Sequence, residues 1–344
     1  MALRMLENFT IYNRTAANLT RRWTTLTQFS TNVSLAAGGR NGADCLSITS
    51  ANAIAINLSR TFDAQATWIV GFALKVTLLS PTVPVTLMRL YDGTTLHIDV
   101  QLNPDGTIAV LRNATSLGAT VFALSINTMY YVEVKVTISD TVGVVTVRVN
   151  GDPKLSLTNQ DTRNAGNASA NRVQLSAMGS VSTIQFSDLY AVDGSATAPN
   201  DFLGDIRVDM LNPDAAGSSH VWIGSDADHV DNQLLVDDAG VPDDDTTYVE
   251  TSTAGDIDLH SIADTASGAV IAGVEVLTLA RKTDAGARTM RVKTRQSGTN
   301  YDGATLSLAD TYTYLSQLFA LAPDGSAWTE AILNALEVGY ELVA

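Results

Sequence analysis

Disulfides are excluded at the outset, because the 344-residue chain carries a single cysteine, Cys45. With one thiol the fold must be held by packing, subunit contacts or bound ions, and a buried, inert thiol is the expected state. Positive charge is scarce too: 21 Lys and Arg stand against 36 Asp and Glu, a formal net charge of −15. Nucleic-acid binding rests on Lys and Arg neutralising phosphates, so this balance argues against a nucleic-acid partner and equally against an anionic membrane surface. No stretch approaches the ~18 consecutive apolar residues that span a bilayer. The start, Met1-Ala2-Leu3-Arg4-Met5-Leu6-Glu7, has no apolar export core. A soluble chain with neither membrane anchor nor export signal is expected.

Catalytic signatures are missing as well. The seven Glu, at 7, 133, 250, 275, 330, 337 and 341, never fall into the Glu-x-Asp-x-Glu or Glu-x-Asp-x-x-Glu spacing that sets an acid and a nucleophile on one strand. His97, His220, His229 and His260 show no His-Glu-x-x-His spacing, and no Gly-x-Ser-x-Gly surrounds a serine. Gly38-Gly39-Arg40-Asn41-Gly42 lacks the Lys-Ser/Thr of a phosphate loop and reads as a turn. These absences predict no catalytic residues, no bound organic cofactor and no enzymatic activity, with His97 on the outward face of its strand.

What is present is β-texture: short Val, Ile, Leu and Ala runs parted by Gly, Asn, Asp, Ser and Thr. From Ala66 to Val76, Trp68, Val70, Phe72, Leu74 and Val76 share one face. Leu96, Ile98, Val100 and Leu102 alternate with His97, Asp99 and Gln101. Val132, Val134, Val136 and Ile138 alternate with Glu133, Lys135 and Thr137, and Val145, Val147 and Val149 continue the pattern. One buried and one wetter face per strand is what an antiparallel sandwich requires. Asn103-Pro104-Asp105-Gly106, Tyr91-Asp92-Gly93 and Asn150-Gly151 supply tight turns.

The acidity is uneven. Sixteen Asp and Glu lie between Asp201 and Val270 against Arg207 alone, whereas six Lys and Arg lie between Arg281 and Arg295. With the small, polar run Asp193-Gly194-Ser195-Ala196-Thr197-Ala198-Pro199-Asn200, this marks a linker near residue 200 and two domains, 1–195 and 201–344. The second is β-rich but less regular. Ile206, Val208 and Met210 alternate, as do Met290, Val292 and Thr294, and Ala269 to Ala280 reads as a strand buried on both faces. Trp328, Ile332 and Leu336 predict a helix ended by Gly339, then a short strand from Tyr340 to Val343. The fold class is thus all-β: two antiparallel β-sandwich (jelly-roll) domains with one short C-terminal helix.

Residues of about 20 to 194 resemble the concanavalin A-like, laminin-G-type sandwich. The resemblance runs through Tyr130-Tyr131-Val132-Glu133-Val134-Lys135-Val136, the hairpin Gly143 to Gly151 and Ile184-Gln185-Phe186-Ser187-Asp188-Leu189-Tyr190. Asp201-Phe202-Leu203-Gly204-Asp205-Ile206-Arg207-Val208, Asp243-Asp244-Asp245-Thr246-Thr247-Tyr248-Val249, Ala280 to Gly286 and Ala327-Trp328-Thr329-Glu330 resemble a C-terminal module of tailed-phage structural proteins. That resemblance implies a virion component, tail-associated or at the particle surface, made in the host cytoplasm. It would assemble with other virion proteins as a homo-oligomer, a trimer before a dimer. The alternatives are a host-surface glycan adhesin and a capsid decoration protein. A lectin-like sandwich holds host polysaccharide with an aromatic ring under the sugar, and Trp222, Tyr248 and Tyr301 are the candidates, each as readily a core or interface residue. Asp226, Asp228, Asp243 and Asp245, with Asp231, Asp237, Asp238 and Asp244, crowd one region that could supply oxygen ligands to Ca²⁺. The Asp-x-Asp-x-Asp-Gly loop is absent, and a solvated acidic surface is the competing reading.

Overall fold

The alternating apolar residues become strands in a computed structural model that describes residues 3–12, 14–29, 32–50, 57–179, 181–196, 199–238 and 242–344. The chain divides into two units, Met1–Val208 and Asp209–Ala344; Thr197 and Ala198 of the expected linker lie outside the described residues. Among the described residues no helix is long and apolar enough to cross a membrane.

The strands of the first unit are β1 (Leu3–Glu7), β2 (Thr25–Leu26), β3 (Val33–Ala37), β4 (Asp44–Ser50), β5 (Asn57–Gln65), β6 (Thr67–Leu78), β7 (Val85–Asp92) and β8 (Thr95–Leu102). They continue with β9 (Thr107–Arg112), β10 (Thr115–Ala123), β11 (Met129–Thr137), β12 (Gly143–Val149), β13 (Asp152–Gln160), β14 (Ala170–Met178) and β15 (Ser182–Asp193). One antiparallel sheet runs β13-β12-β11-β6-β15-β4-β3, with β1 alongside β15; the other runs β10-β9-β8-β7-β14-β5-β2. The residues that alternate in the sequence fill the space between them. Trp68, Val70, Phe72 and Leu74 are fully buried, each worth roughly 1.5–3 kcal/mol of transfer free energy. Phe72 meets Phe186 edge-on at 5.4 Å, and the Trp68 indole donates to the Ala170 carbonyl of the facing sheet at 2.8 Å. Asn150 and Gly151, at φ 52° and 83°, make the hairpin that joins β12 to β13.

The second unit has a five-stranded sheet of β16 (Pro213–His220), β19 (Ile257–Ile262), β24 (Glu337–Leu342), β21 (Thr289–Gln296) and β22 (Thr299–Ser307), in that order. Two strand pairs complete it: β17 (Ile223–Gly224) with β18 (Val249–Glu250), and β20 (Val274–Ala280) with β23 (Thr313–Phe319). Trp328, Leu333, Leu336 and Ile262 form one small core; Trp222, Met290, Tyr340 and Leu342 form another.

Four expectations are corrected here. His97 is fully buried rather than outward, because the loop after β13 crosses it and the Asn164 amide donates to its Nδ1 at 3.1 Å. The apolar run from Ala269 yields a strand only over Val274–Ala280, half-buried throughout rather than buried on both faces, because only one strand, β23, flanks it in its sheet. Ile206, Val208 and Met210 form no strand. The helix is Glu330–Asn334, capped by the Thr329 hydroxyl. Gly339 lies inside β24, where a Cβ would land on the Asp258 carbonyl of β19.

A polar cluster is buried in this unit. His260 Nε2 lies 3.1 Å from the Tyr340 hydroxyl, and the Asp258 carboxylate accepts from the Asn232 amide at 2.7 Å and the Trp222 backbone at 3.2 Å. Burial holds the His260 imidazole down to about 4, from an ordinary 6.5. The unfolded chain therefore takes up a proton below about pH 6.5 that the fold refuses until about pH 4, so stability falls as pH drops through that window, by up to about 3 kcal/mol. Burial raises the Asp258 carboxyl, which acts in the opposite sense at the acid end. Denaturation curves between pH 7 and 5 are expected to show this loss of stability in the native protein and a flatter dependence in His260→Gln.

Candidate functional site

The first sheet has a second face, turned away from the sandwich core, and in the middle of it sits Glu133 with no exposed surface. Cross-strand register explains how a carboxylate comes to be buried there. Tyr190 on β15, Gly71 on β6, Glu133 on β11 and Arg148 on β12 form one row across four strands. A Cβ at Gly71 would collide with the Tyr190 ring, so only glycine lets that ring lie across β6. The Tyr190 hydroxyl thereby reaches Glu133 Oε1 at 2.5 Å. Burial and the neighbouring Glu133 carboxylate push the Tyr190 phenol far above its ordinary value, so it stays a donor. The register of β15 slips between Ser187 and Tyr190 around Asp188, whose φ is 46°. A bulge of this kind re-aims side chains at the expense of regular pairing.

Residues 201–208 cover the row. Held by side chains rather than by a strand ladder, the segment donates from the Gly204 amide to Glu133 Oε1 at 2.8 Å, from Leu203 to the Tyr190 hydroxyl at 3.1 Å and from Val208 to Asp188 at 3.0 Å. Arg40 reaches the Ile206 carbonyl at 3.0 Å and pairs with Asp205 at 2.6 Å and Asp188 at 3.5 Å. The Phe202 ring lies under the Arg148 guanidinium at 3.9 Å. Glu133 Oε2 is nevertheless left buried without a hydrogen-bond partner. Glu7, the other buried glutamate of this unit, differs: it accepts from the Phe9 amide at 2.7 Å, Arg22 at 3.0 Å, the Trp23 indole at 3.1 Å and the Tyr12 hydroxyl. Those donors saturate it as an anchor for the end of β1.

Beside this cover the face stays open, as a cleft of about 740 Å³. The Gly38–Asn41 turn, Lys75, Asn127, Met129, Tyr130, Tyr131, Asn150 and Asp205 line it. In the sequence the glycine turn reads as punctuation and the cleft leaves no local pattern, since Lys75, Asn127 and Asn150 converge only through strand pairing.

The residues singled out from the sequence lie elsewhere. Trp222 is 9% exposed, packs at a tilt against Tyr340 at 4.6 Å and donates from its indole to the Asp256 carbonyl at 3.1 Å, so its ring is used by the core. Tyr248 and Tyr301 are half-buried and separate, one before β18 and one in β22. Asp226 and Asp228 cap their own loop, Asp243 accepts from Thr247 at 3.0 Å, and Asp245 pairs with Arg281 at 2.7 Å. Among the described residues no three carboxylate, histidine or cysteine side chains converge on a point where a cation could sit.

No protein-family model and no curated protein matches the chain. Solved structures do: a sialidase at 14% identity and TM-score 0.43, covering 57% of this chain and 19% of its own; an alginate lyase at 9% identity and TM-score 0.40, covering 55% and 96%; and a Trypanosoma rangeli sialidase at 12% identity and TM-score 0.35, covering 46% and 27%. The chain thus spans about a fifth of the first sialidase. The all-β fold itself, in several antiparallel sheets with a short C-terminal helix, stands on the strand pairing of this chain. The neighbours correct the expectation of no enzymatic activity, since they are enzymes by name.

The Gly71–Tyr190 fit is testable. Gly71→Ala is expected to cost about 2 kcal/mol or more, read from denaturant unfolding. The same substitution should cost clearly less in a Tyr190→Ala background, because the clashing ring is gone; equal costs would mean the ring does not set the glycine.

Proposed function

We propose that the chain is a structural component of a tailed-phage virion, tail-associated or at the particle surface, that works by assembling with other virion proteins. The observation behind this reading is how unevenly the two units bury apolar surface. Among the described residues, forty-eight buried hydrophobic side chains precede Asp209 and eleven follow it. Every residue of β20 and β23 is half-buried, in a sheet of two strands, and a two-stranded sheet is marginal in water by itself. Val221, Ile223, Val230 and Leu234 are 46, 45, 63 and 58% exposed around β17 and the turn Asn232–Leu235. Exposed apolar groups gathered in one region favour an interface.

Under this reading the second unit completes its core against copies of itself, as a homotrimer, and against neighbouring virion proteins. A capsid decoration protein would use the same contacts at a different place on the particle. A host-glycan adhesin is the second reading, favoured by the open cleft of the first unit, and one chain could serve both roles.

Light scattering should return a trimeric mass, and Ile223→Asp with Leu234→Asp should shift it toward the monomer while the first unit melts unchanged. A monomer whose β20 and β23 amides are as protected from hydrogen exchange as those of β6 and β11 would sink the assembly reading. Absence of the chain from purified phage particles of the producing host would sink its virion placement.

A further inference from the structure

We infer that the cleft beside β6 and β11 binds an anionic, carboxylate-bearing saccharide, with the Lys75 ammonium as its charge partner. The inference deepens the adhesin reading, on which it rests, and is independent of assembly through the second unit.

Charge comes first. The lining holds Arg40, Lys75 and one carboxylate, Asp205, within a chain of net charge −15. Asp205 is bound to Arg40 at 2.6 Å. Lys75, set between Gln185 and Met129 in register, makes no ion pair among the described residues. A cation left over in an acidic protein, inside a concavity, attracts an anion from solution.

The remaining lining is rich in donors. Asn41 and Asn127 have no side-chain hydrogen bond among the described residues, and Asn150 uses only its carbonyl oxygen, which accepts the Tyr131 amide at 2.8 Å. All three sit at left-handed turns, φ 54°, 63° and 52°, so three separate loop tips meet at one cleft; asparagine tolerates that backbone. Amide groups beside an ammonium suit a ligand carrying hydroxyls and a carboxylate together. Tyr130 pairs with Leu74 and turns its ring to Phe122, edge-on at 5.8 Å, with its hydroxyl accepting the Ser125 amide at 3.2 Å, so recognition in the cleft rests on the ammonium and the amides.

Two other anions fit less well. One unpaired lysine supplies too little charge for a nucleic acid, whose affinity scales with the number of phosphates neutralised. A small inorganic anion would gain little from an open cleft of 740 Å³. The cover formed by residues 201–208 fixes the extent of the site, leaving this end of the face open.

The test is titration calorimetry of the full-length protein with a short oligoglucuronate, against a neutral cello-oligosaccharide and sodium sulfate at matched ionic strength. Binding of the oligoglucuronate, weakened by salt and absent for the other two, is expected. Lys75→Met, which keeps the apolar stem, should weaken it about tenfold, the worth of one charge-assisted hydrogen bond, and Lys75→Arg should restore most of it. Asn127→Gly, compatible with φ 63°, should weaken it severalfold and serves if Lys75→Met does not fold. Lys282→Met should leave binding unchanged. No binding, equal binding of the neutral sugar, an indifferent Lys75→Met, or an equal loss in Lys282→Met would each overturn the inference. A trimer that ignores oligoglucuronate would sink the cleft alone, whereas a monomer that binds it would sink the assembly reading alone.

Discussion

A carboxylate in the middle of a sheet, with no surface of its own, is costly unless donors surround it, and Glu133 obliges the first unit to provide them. One donor is the Tyr190 hydroxyl, which arrives only because Gly71 leaves room for the ring. Another is the Gly204 amide, which arrives only because the chain, after leaving β15, turns back over the face it has just completed. The bulge at Asp188 re-aims β15 so that both contacts are made. Glycine in a strand, irregular register and a docked tail thus follow from one buried charge.

Covering the outer face has a further effect. A sandwich whose outer face were wet would present a broad polar surface with no preferred spot. Here residues 201–208 occupy part of that surface and Arg40 ties them down through Asp205 and the Ile206 carbonyl. What remains is bounded and asymmetric, with fixed turn tips on one side. The second unit shows the opposite economy: its strands carry few fully buried side chains and its two small cores are separate. Buried apolar packing is concentrated in the first unit.

Much of the first sandwich was legible in the sequence, because its inner face obeys a strict period of two from Trp68 to Val76 and from Val132 to Val136, and because Asn150-Gly151 dictates a hairpin. The outer face was not. Glu133, Lys135 and Thr137 alternate as solvent-facing residues should, and their cover comes from a segment 71 residues away whose Ile206, Val208 and Met210 imitate a strand. His97 misled for the same reason, a loop from elsewhere closing over it. Trp222 reads equally as a sugar platform or as core, and Tyr340 takes its ring. The cleft could have been suspected from the turn glycines and Lys75, but no local pattern says which loop tips meet.

Cys45 carries a consequence for chemistry rather than architecture. It lies at 1% exposure in β4, and burial pushes its thiol up to about 11, so the reactive thiolate is nearly absent at neutral pH. A chain with this one sulfhydryl resists sulfenic-acid formation and mixed disulfides in oxidising surroundings. The same silence makes the native polypeptide a clean background into which one surface thiol can be introduced for fluorophores or spin labels.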